Sequence, residues 1–354
     1  MKPVFHLITT IERGGAENQL VILAKEQVLS GRDVHIGYLK GAPELQAQLE
    51  NIGVTVHQEL SNRSVMAQIR ILRKLTQNKA FILHAHLPRA ELVASIGYKD
   101  EDFFVSRHNA EPFFPGANLL VSRISSHFAT RHAKGVIAIS KAVAAYLIEN
   151  KEISKSKNLR IVLYGYEPQN SSDIRPPKEN SNPLKLGTIS RLTNQKDIPT
   201  LLDAFSQVRY AIPSATLEII GDGPLRKQME KLAEELGLTS KVTFLGRTGE
   251  INKYLSGWDI FLLTSKYEGF GLVLLEAMDQ NVPIVASNNS AIPEVLGEGF
   301  PGLCRTGEAA DFARKVLELT QGNQRELYQR IQQDRLRCFS ATGMRHDVDA
   351  VYSS

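Results

Sequence analysis

Two glutamates eight residues apart, Glu268 and Glu276, carry the clearest chemistry in this chain, within the segment KYEGFGLVLLEAM from Lys266 to Met278. The apolar run Ile260 to Leu263 before them reads as a buried strand. Gly269 and Gly271 end that strand, and the leucines from Leu272 onward read as a helix. Glu268 is therefore expected in a strand-to-helix loop and Glu276 about a turn into a largely apolar helix. Leu274, Leu275, Ala277 and Met278 predict burial there, and a buried carboxylate is costly unless it is hydrogen-bonded or paired. Glu276 is thus expected to have a polar partner. The free amides at the helix start form a site for phosphate oxygens. Hydroxyl-binding carboxylates beside an anion-binding helix end suit a nucleotide sugar. The alternative is that Glu276 pairs internally and Glu268 is a solvated loop residue, and residue types alone leave both open.

Other groups carry compatible chemistry. Gly187-Thr-Ile-Ser-Arg191-Leu-Thr-Asn-Gln-Lys196-Asp197 runs from a strand into a helix. Arg191 and Lys196 in its loop can point at one anion, and a guanidinium fork with an ammonium suits a diphosphate leaving group. Gly14-Gly15-Ala16-Glu17-Asn18 follows the first strand and opens the first long helix, where two glycines allow close approach of backbone or anion. A tight turn is the bland alternative. Gly221-Asp222-Gly223-Pro224 follows another strand and is an ordinary turn signal by itself. His84-Ala-His86 stands at a strand end; read as side chains facing opposite ways, the two histidines are not expected to share one ion. His108, in Val105-Ser-Arg-His108-Asn109, follows the next strand.

These motifs together resemble a known family. Glu268-Gly-Phe-Gly-Leu-Val-Leu-Leu-Glu276 resembles the Glu-x7-Glu signature of retaining glycosyltransferases of family 4, and Arg191–Lys196 resembles that family's Gly-Arg-Leu-x-x-x-Lys-Gly loop, with Ser190 and Asp197 in place of its two glycines. The resemblance implies that Glu276 binds the donor ribose and Glu268 the transferred sugar. It implies that the backbone of Gly269, Phe270, Gly271 and Leu272 meets sugar and diphosphate. Gly14 and Gly15 are similar to a family loop facing the donor phosphates. Gly223 and Arg247 match positions that shape the nucleotide pocket, and His108 a histidine that hydrogen-bonds the donor sugar near the reacting carbon. Ser290, Ala291, Pro293 and Glu294 lie where relatives often carry Gly-Gly-x-Pro-Glu. Tyr164-Gly165-Tyr166-Glu167 stands where an Asn-Gly-x-Asp turn is usual.

The elements that must position these residues alternate. Apolar runs Val4–Thr9, Val34–Leu39, Val54–Gln58, Phe81–Ala85, Phe103–Ser106 and Val136–Ile139 read as strands; Ala16–Leu29, Val65–Gln77, Ala90–Gly97 and Lys141–Asn150 read as helices. After a Pro/Ser/Asn-rich stretch the alternation resumes, with strands at Leu184–Ile189, Thr216–Ile220, Val242–Leu245, Ile260–Leu263 and Pro283–Ala286. Helices are expected at Ile198–Tyr210, Leu225–Leu236, Leu272–Asp279 and Ala309–Thr320. Parallel sheets covered by helices follow. The expected fold class is α/β: GT-B by resemblance, two Rossmann-like domains facing a central cleft. The expected boundaries are 1–165 for an acceptor-side domain, 166–183 for a linker and 184–341 for a nucleotide-sugar-binding domain, with a helix at about 342–354 packing back on the first.

Composition narrows the function. Residues 1–165 hold 21 Lys and Arg against 14 Asp and Glu, while the remainder holds 21 against 24. A basic first half suggests an anionic partner such as a membrane surface or lipid phosphate; no zinc finger, aromatic RNA-binding motif or basic tract supports nucleic acid. No stretch has the apolar length of a membrane span. The start reads as a buried strand rather than a signal peptide, and two cysteines fit a reducing cytoplasm. In Leu119–Lys134, Leu120, Ile124 and Phe128 fall on one helix face and Arg123, His127 and Arg131 on another. An ordinary helix packing that apolar stripe on its own sheet is the favoured reading, and a surface-lying membrane helix the alternative. Without a convincing Asp-x-Asp motif, no metal and no cofactor are expected; Arg191, Lys196 and helix dipoles take the metal's electrostatic role.

The activity that the resemblance implies is hexosyl transfer, with retention, from an NDP-sugar (UDP- or GDP-linked) to a hydroxyl of a glycan or lipid-linked acceptor. By analogy it belongs to bacterial surface-glycan synthesis, in the cytoplasm or peripheral to the inner face of the plasma membrane. An NDP-sugar epimerase of the same fold and a non-catalytic nucleotide-sugar-binding subunit are the alternatives.

Overall fold

The computed structural model describes residues 1–77, 79–98, 102–114, 116, 118–154, 158–168, 183–321 and 324–354. The chain divides into two compact units, Met1–Glu167 with Phe339–Ser354, and Pro168–Cys338.

In the first unit, strands β1 (Val4–Ile8), β2 (Val34–Tyr38), β3 (Thr55–His57), β4 (Ile82–His86), β5 (Phe103–Arg107), β6 (Gly135–Ala138) and β7 (Asn158–Ile161) alternate with helices. These are α1 (Gly15–Leu29), α2 (Gln46–Asn51), α3 (Val65–Thr76), α4 (Pro88–Gly97), α5 (Leu119–Thr130) and α6 (Lys141–Glu149). The sheet order is β3-β2-β1-β4-β5-β6-β7, and every pairing is parallel. A parallel sheet must be covered on both faces, which is why β1, β4 and β5 are buried throughout. Phe5, Leu7, Leu83, Val105, Leu72 and Val93 form the core on one face. The strand order reverses between β1 and β4. Loops leaving the carboxyl ends of those two strands diverge there, and such a switch point is where open α/β sheets bind ligands.

The second unit repeats the plan with β8 (Lys185–Ile189), α7 (Ile198–Ala211), β9 (Thr216–Ile220), α8 (Arg226–Glu235), β10 (Val242–Gly246), α9 (Ile251–Leu255) and β11 (Ile260–Leu263). It continues through α10 (Leu272–Asp279), β12 (Ile284–Ser287), α11 (Ile292–Leu296), β13 (Leu303–Cys304), α12 (Ala309–Leu319) and α13 (Gln324–Leu336). Its parallel sheet runs β10-β9-β8-β11-β12-β13, so the switch point lies between β8 and β11. Glycine is required at Gly187 on β8, where a Cβ would stand 1.9 Å from the Trp258 ring.

Helix α14 (Ala341–Tyr352), capped by the Ser340 hydroxyl on Gly343 N, belongs to the first unit. It lies against α1: Arg32 pairs with Asp349 at 3.0 Å and Thr342 donates to Glu26 at 2.7 Å. Of the stretch expected as a linker, residues 169–182 lie outside the described residues. Tyr166 and Glu167 are held within the first unit, through Tyr166 N to Phe339 O at 2.8 Å and a 2.7 Å Lys25–Glu167 ion pair.

One expectation about packing fails. Helix α5 buries Ser122, Ser126, Ala129 and Thr130, while Leu120, Ile124 and Phe128 are 62%, 61% and 41% exposed. The inward face is set by polar anchors rather than by the apolar stripe. Arg107 Nη2 donates to Ser126 Oγ at 2.7 Å, Ser126 Oγ to Glu152 O at 2.5 Å, and Ser95 Oγ to Phe128 O at 2.9 Å.

Candidate active site

At the switch point of the second sheet, the loop after β8 and the loop after β11 are clipped together. Thr264 Oγ1 donates to the carbonyls of Lys196 (3.0 Å) and Asp197 (3.1 Å), Gln195 Nε2 to Tyr267 O (3.0 Å), and Lys266 N to Gln195 O (2.7 Å). These bonds bring Lys196 Nζ to 2.6 Å from Glu268 Oε1, which also accepts from Ser265 Oγ at 2.6 Å. Glu268 is buried. It is not the solvated loop residue allowed by the bland alternative, because residues flanking it in the loop are tied to both strands. Among the described residues its Oε2 makes no hydrogen bond, which leaves one oxygen for a hydroxyl.

Glu276 is placed as expected on α10, but the partner predicted for it does not exist among the described residues: its carboxylate makes no hydrogen bond or ion pair there. Burial alone pushes it up to about 7. The expectation assumed that the protein compensates every buried carboxylate internally. Here the compensation is left to solvent or a ligand, and the internal-pairing alternative falls. Leu272 begins α10 just after Gly271, whose φ of 89° turns the chain into the helix. Gly269 and buried Phe270 complete the loop.

Arg191 and Arg247 have exposed side chains that make no hydrogen bond among the described residues. Gly223 packs where a Cβ would stand 2.4 Å from Leu192 O, so glycine lets the turn after β9 press on the loop carrying Arg191. Two of the four departures from the glycine pattern keep glycine's backbone, while Ala291, at φ −79°, does not. Asp197 (φ 49°) and Ser290 (φ 57°) both adopt the left-handed conformation. Each is tethered: Thr200 Oγ1 donates to Asp197 Oδ2 at 2.8 Å, and Ser290 Oγ to Glu268 O at 2.6 Å.

In the first unit, Gly14 caps α1 and Gly15 begins it, but the Glu17 carboxylate folds back over Gly14 and accepts from Thr10 Oγ1 at 2.7 Å. His108 follows β5. Its Nδ1 lies 2.5 Å from the Tyr164 hydroxyl and its Nε2 3.2 Å from His86 Nδ1. Burial depresses His108 to about 3, with Arg107 adding to the effect, so the imidazole is neutral. Leu87, at the turn after His86, has φ 72°. A leucine in that region carries backbone strain.

The expectation for His84 and His86 is corrected. Residues i and i+2 of a strand share a face, and the two rings stand 4.1 Å apart between centroids. His6, which is paired with His84 across β1 and β4, completes a buried group whose nitrogens lie close enough to hold an ion. His6 and Gln27 were not singled out from sequence. The available signal was polarity: one histidine inside the buried run Val4–Ile8, and a glutamine on the inward side of α1.

Comparison with known proteins decides the family. A profile described as glycosyltransferase family 4 matches residues 13–168, and one described as glycosyl transferases group 1 matches residues 169–335. The chain belongs to the family 4 glycosyltransferases. Within this family it is similar to N-acetyl-alpha-D-glucosaminyl L-malate synthase of Bacillus anthracis, 34% identical over 37% of this chain and 34% of that one. It is also similar to a GDP-mannose-dependent alpha-(1-6)-phosphatidylinositol monomannoside mannosyltransferase of Mycobacterium tuberculosis, 33% identical over 37% of each chain. The matched region thus spans about a third of these curated relatives' length. Among solved structures, the fold matches HepE of Anabaena in complex with UDP-glucose, with TM-score 0.83, 21% identity and full coverage of both chains. It also matches sucrose-phosphate synthase of Thermosynechococcus elongatus, with TM-score 0.79, 17% identity, and 99% of this chain and 98% of that chain covered. The glycosyltransferase fold is GT-B.

Proposed function

We propose that this chain transfers a sugar from a UDP- or GDP-sugar to a hydroxyl of a glycan or lipid-linked acceptor. The observation that carries the proposal is Glu276. A carboxylate on an apolar helix, pushed up to about 7 by burial and given no partner by the described residues, is arranged for a ligand with hydroxyl donors, such as ribose. Beside it in the same unit, Glu268 Oε2 is turned to the transferred sugar. Gly269, Phe270, Gly271 and Leu272 offer backbone at a helix start, which favours the diphosphate. Lys196 and the exposed Arg191 balance the charge that grows on the departing phosphate, so no metal is needed in that role. Gly223 and Arg247 border the nucleotide. Gly14 and Gly15 contact donor phosphate through backbone alone, because Glu17 fills the space over Gly14. His108 meets a sugar hydroxyl.

Retention follows by front-side substitution. The anomeric carbon–phosphate oxygen bond breaks as the acceptor oxygen bonds the same face, and the acceptor proton passes to the departing phosphate oxygen. The relatives' names support a nucleotide-sugar donor. The test is a thermal-shift screen with UDP-, GDP- and ADP-sugars, followed by NMR of the product anomer and turnover in the presence of a chelator. Stabilisation by one donor and a retained anomer are expected. A donor isomerised without acceptor, or no donor binding at all, sinks the proposal.

A peripheral contact with an anionic membrane is part of the proposal. No described helix is long and apolar enough to cross a membrane. Helix α5 nevertheless exposes Leu119, Leu120, Val121, Ile124 and Phe128. Arg131 stacks on the Phe128 ring at 3.5 Å, and Arg123 shares the helix, a combination of apolar and basic groups that suits anionic lipid. Ile124→Glu is expected to abolish co-sedimentation with phosphatidylglycerol vesicles. Equal binding of both forms, or self-association of the unmodified chain through this face, rules the contact out.

A further inference from the structure

The first unit contains a chain of side chains, Gln27, His6, His86, His108 and Tyr164, of which the proposed chemistry uses only His108. His6 Nε2 lies 2.8 Å from Gln27 Oε1, His6 Nδ1 3.0 Å from His86 Nε2, His86 Nδ1 3.2 Å from His108 Nε2, and His108 Nδ1 2.5 Å from the Tyr164 hydroxyl. They come from α1, β1, β4, the end of β5 and the segment after β7, so the sheet register rather than sequence proximity lines them up.

The direction of every bond follows from one end. An amide oxygen only accepts, so His6 Nε2 carries a proton and donates to Gln27. A neutral imidazole carries one proton, so His6 Nδ1 is an acceptor and takes the Nε2 proton of His86. His86 Nδ1 then accepts from His108 Nε2, and His108 Nδ1 accepts from the Tyr164 hydroxyl. Neutrality is supported at each ring: burial lowers His6 to about 4 and His108 to about 3, and holds His86 well below the ordinary imidazole value.

We infer that Gln27, through His6 and His86, locks His108 as the Nε2–H tautomer, making it an obligate hydrogen-bond acceptor at Nδ1 and so a reader of hydroxyl groups. This rests on the proposal above that His108 meets a sugar hydroxyl. A phosphate oxygen, an ether or a fluorine has no proton to give Nδ1 and is rejected; a hydroxyl replaces the Tyr164 hydroxyl without disturbing the chain. A cavity of about 30 Å³, with His86, His108 and Tyr164 on its polar side and apolar side chains such as Leu20, Ile139 and Val348 elsewhere, leaves room for a small group beside the chain. Gln27, His6 and His86 are positioning residues and His108 the contacting one. The same geometry argues against a metal at His6, His84 and His86. The one lone pair on each of His6 and His86 is already committed, and both nitrogens of His84 are bonded, Nδ1 with the Tyr352 hydroxyl at 2.7 Å and Nε2 with Ser106 Oγ at 2.8 Å.

Nitrogen-15 NMR of histidine-labelled protein reads the tautomers directly, without substrate. His6, His86 and His108 are expected as neutral Nε2–H forms throughout pH 6–8. An Nδ1–H form or an imidazolium at any of the three overturns the inference, as does stoichiometric uptake of cobalt(II) or zinc with loss of these signals. A second arm uses kinetics with deoxyfluoro analogues of the donor sugar. In the unaltered protein, fluorine at the contacted position is expected to lower kcat/KM by about tenfold, the scale of one hydrogen bond. Gln27→Leu removes the terminal acceptor, lets the chain reverse, and should cut that discrimination to under about threefold. Discrimination unchanged in Gln27→Leu overturns the inference. Expected tautomers with no sensitivity to any fluorine substitution would instead sink the role given to His108 while leaving the chain intact.

Discussion

Lys196 Nζ and Glu268 Oε1 stand 2.6 Å apart with both side chains largely withdrawn from solvent, so the lysine assigned to phosphate and the carboxylate assigned to sugar neutralise one another before any ligand arrives. Removing the ammonium therefore has two consequences that can be separated. Lys196→Ala leaves a buried carboxylate without its partner, at a cost of about 3 kcal/mol in stability, and lowers turnover by roughly 100-fold or more. In Lys196→Ala/Glu268→Gln the orphaned charge is gone. Thermal denaturation is expected to recover most of the lost stability, while the assay recovers no activity. A double variant as unstable as the single one would show that the pair does not account for the loss.

Glu276 makes stability fall with pH. Its folded pKa of about 7 exceeds the ordinary glutamate value of 4.5, so the folded state holds the proton longer than the unfolded chain. Stability is fully present below about pH 4.5 and declines as pH rises through 7. Glu276→Gln lacks that decline. Its stability relative to the unaltered chain is expected to grow from pH 5 to pH 8 by about 1–3 kcal/mol, with donor binding weakened about 10- to 100-fold. Parallel melting curves across that pH range would refute it.

Ser290 occupies left-handed backbone, which favours glycine, yet its hydroxyl holds the carbonyl of Glu268. Ser290→Gly relieves about 1 kcal/mol of strain and forfeits a bond of about 1 kcal/mol, so denaturant melts should move little. Ser290→Ala forfeits the bond without the relief, and it is expected to be about 1 kcal/mol less stable than Ser290→Gly. The reverse order would show that the left-handed backbone at position 290 stores no such strain, and a Ser290→Ala variant as stable as the unaltered chain would show that the hydroxyl does not hold the loop.

Arg107 serves two buried carboxylates, Glu91 at 3.0 Å and Glu152 at 3.5 Å. Burial pushes Glu91 up to about 7 against the pull of Arg107. The raised value again means stability lost as pH rises through 7. Glu91→Gln, which leaves one carboxylate per guanidinium, is expected to be neutral at pH 5 and stabilising at pH 8. Arg107→Met should cost about 3–5 kcal/mol at pH 8. A Glu91→Gln variant destabilised more at pH 8 than at pH 5 would reverse the sign and reject the assignment.

Much of the architecture was legible in local pattern. Both alternations of strands and helices, and the strand ends carrying Lys196, Glu268 and His108, follow from apolar runs broken by glycine and polar loops. Some elements that escaped are too short to show one, such as α2, α9 and α11, and others lack such a pattern. Strand β7 is a partly exposed edge, and β13 has two residues. Helix α13 is anchored by the Gln332 amide, which accepts from Ile284 N at 3.0 Å and donates to Val282 O at 2.8 Å, rather than by an apolar stripe.

What the sequence by itself determined is the family, the two-sheet plan and the identity of the charged residues, because those depend on residue type and short spacing. Tertiary structure alone decided their state. Glu276 has no partner among the described residues and Glu268 already has one, a difference set by which loops β8 and β11 bring together. Helix α5 turns its apolar stripe outward because Arg107, Glu152 and Ser95 hold its polar side. The histidine chain joins residues far apart in sequence, across β1, β4 and β5. Hydrogen-bond direction in such a chain is a property of the whole path, and no single residue or local window contains it.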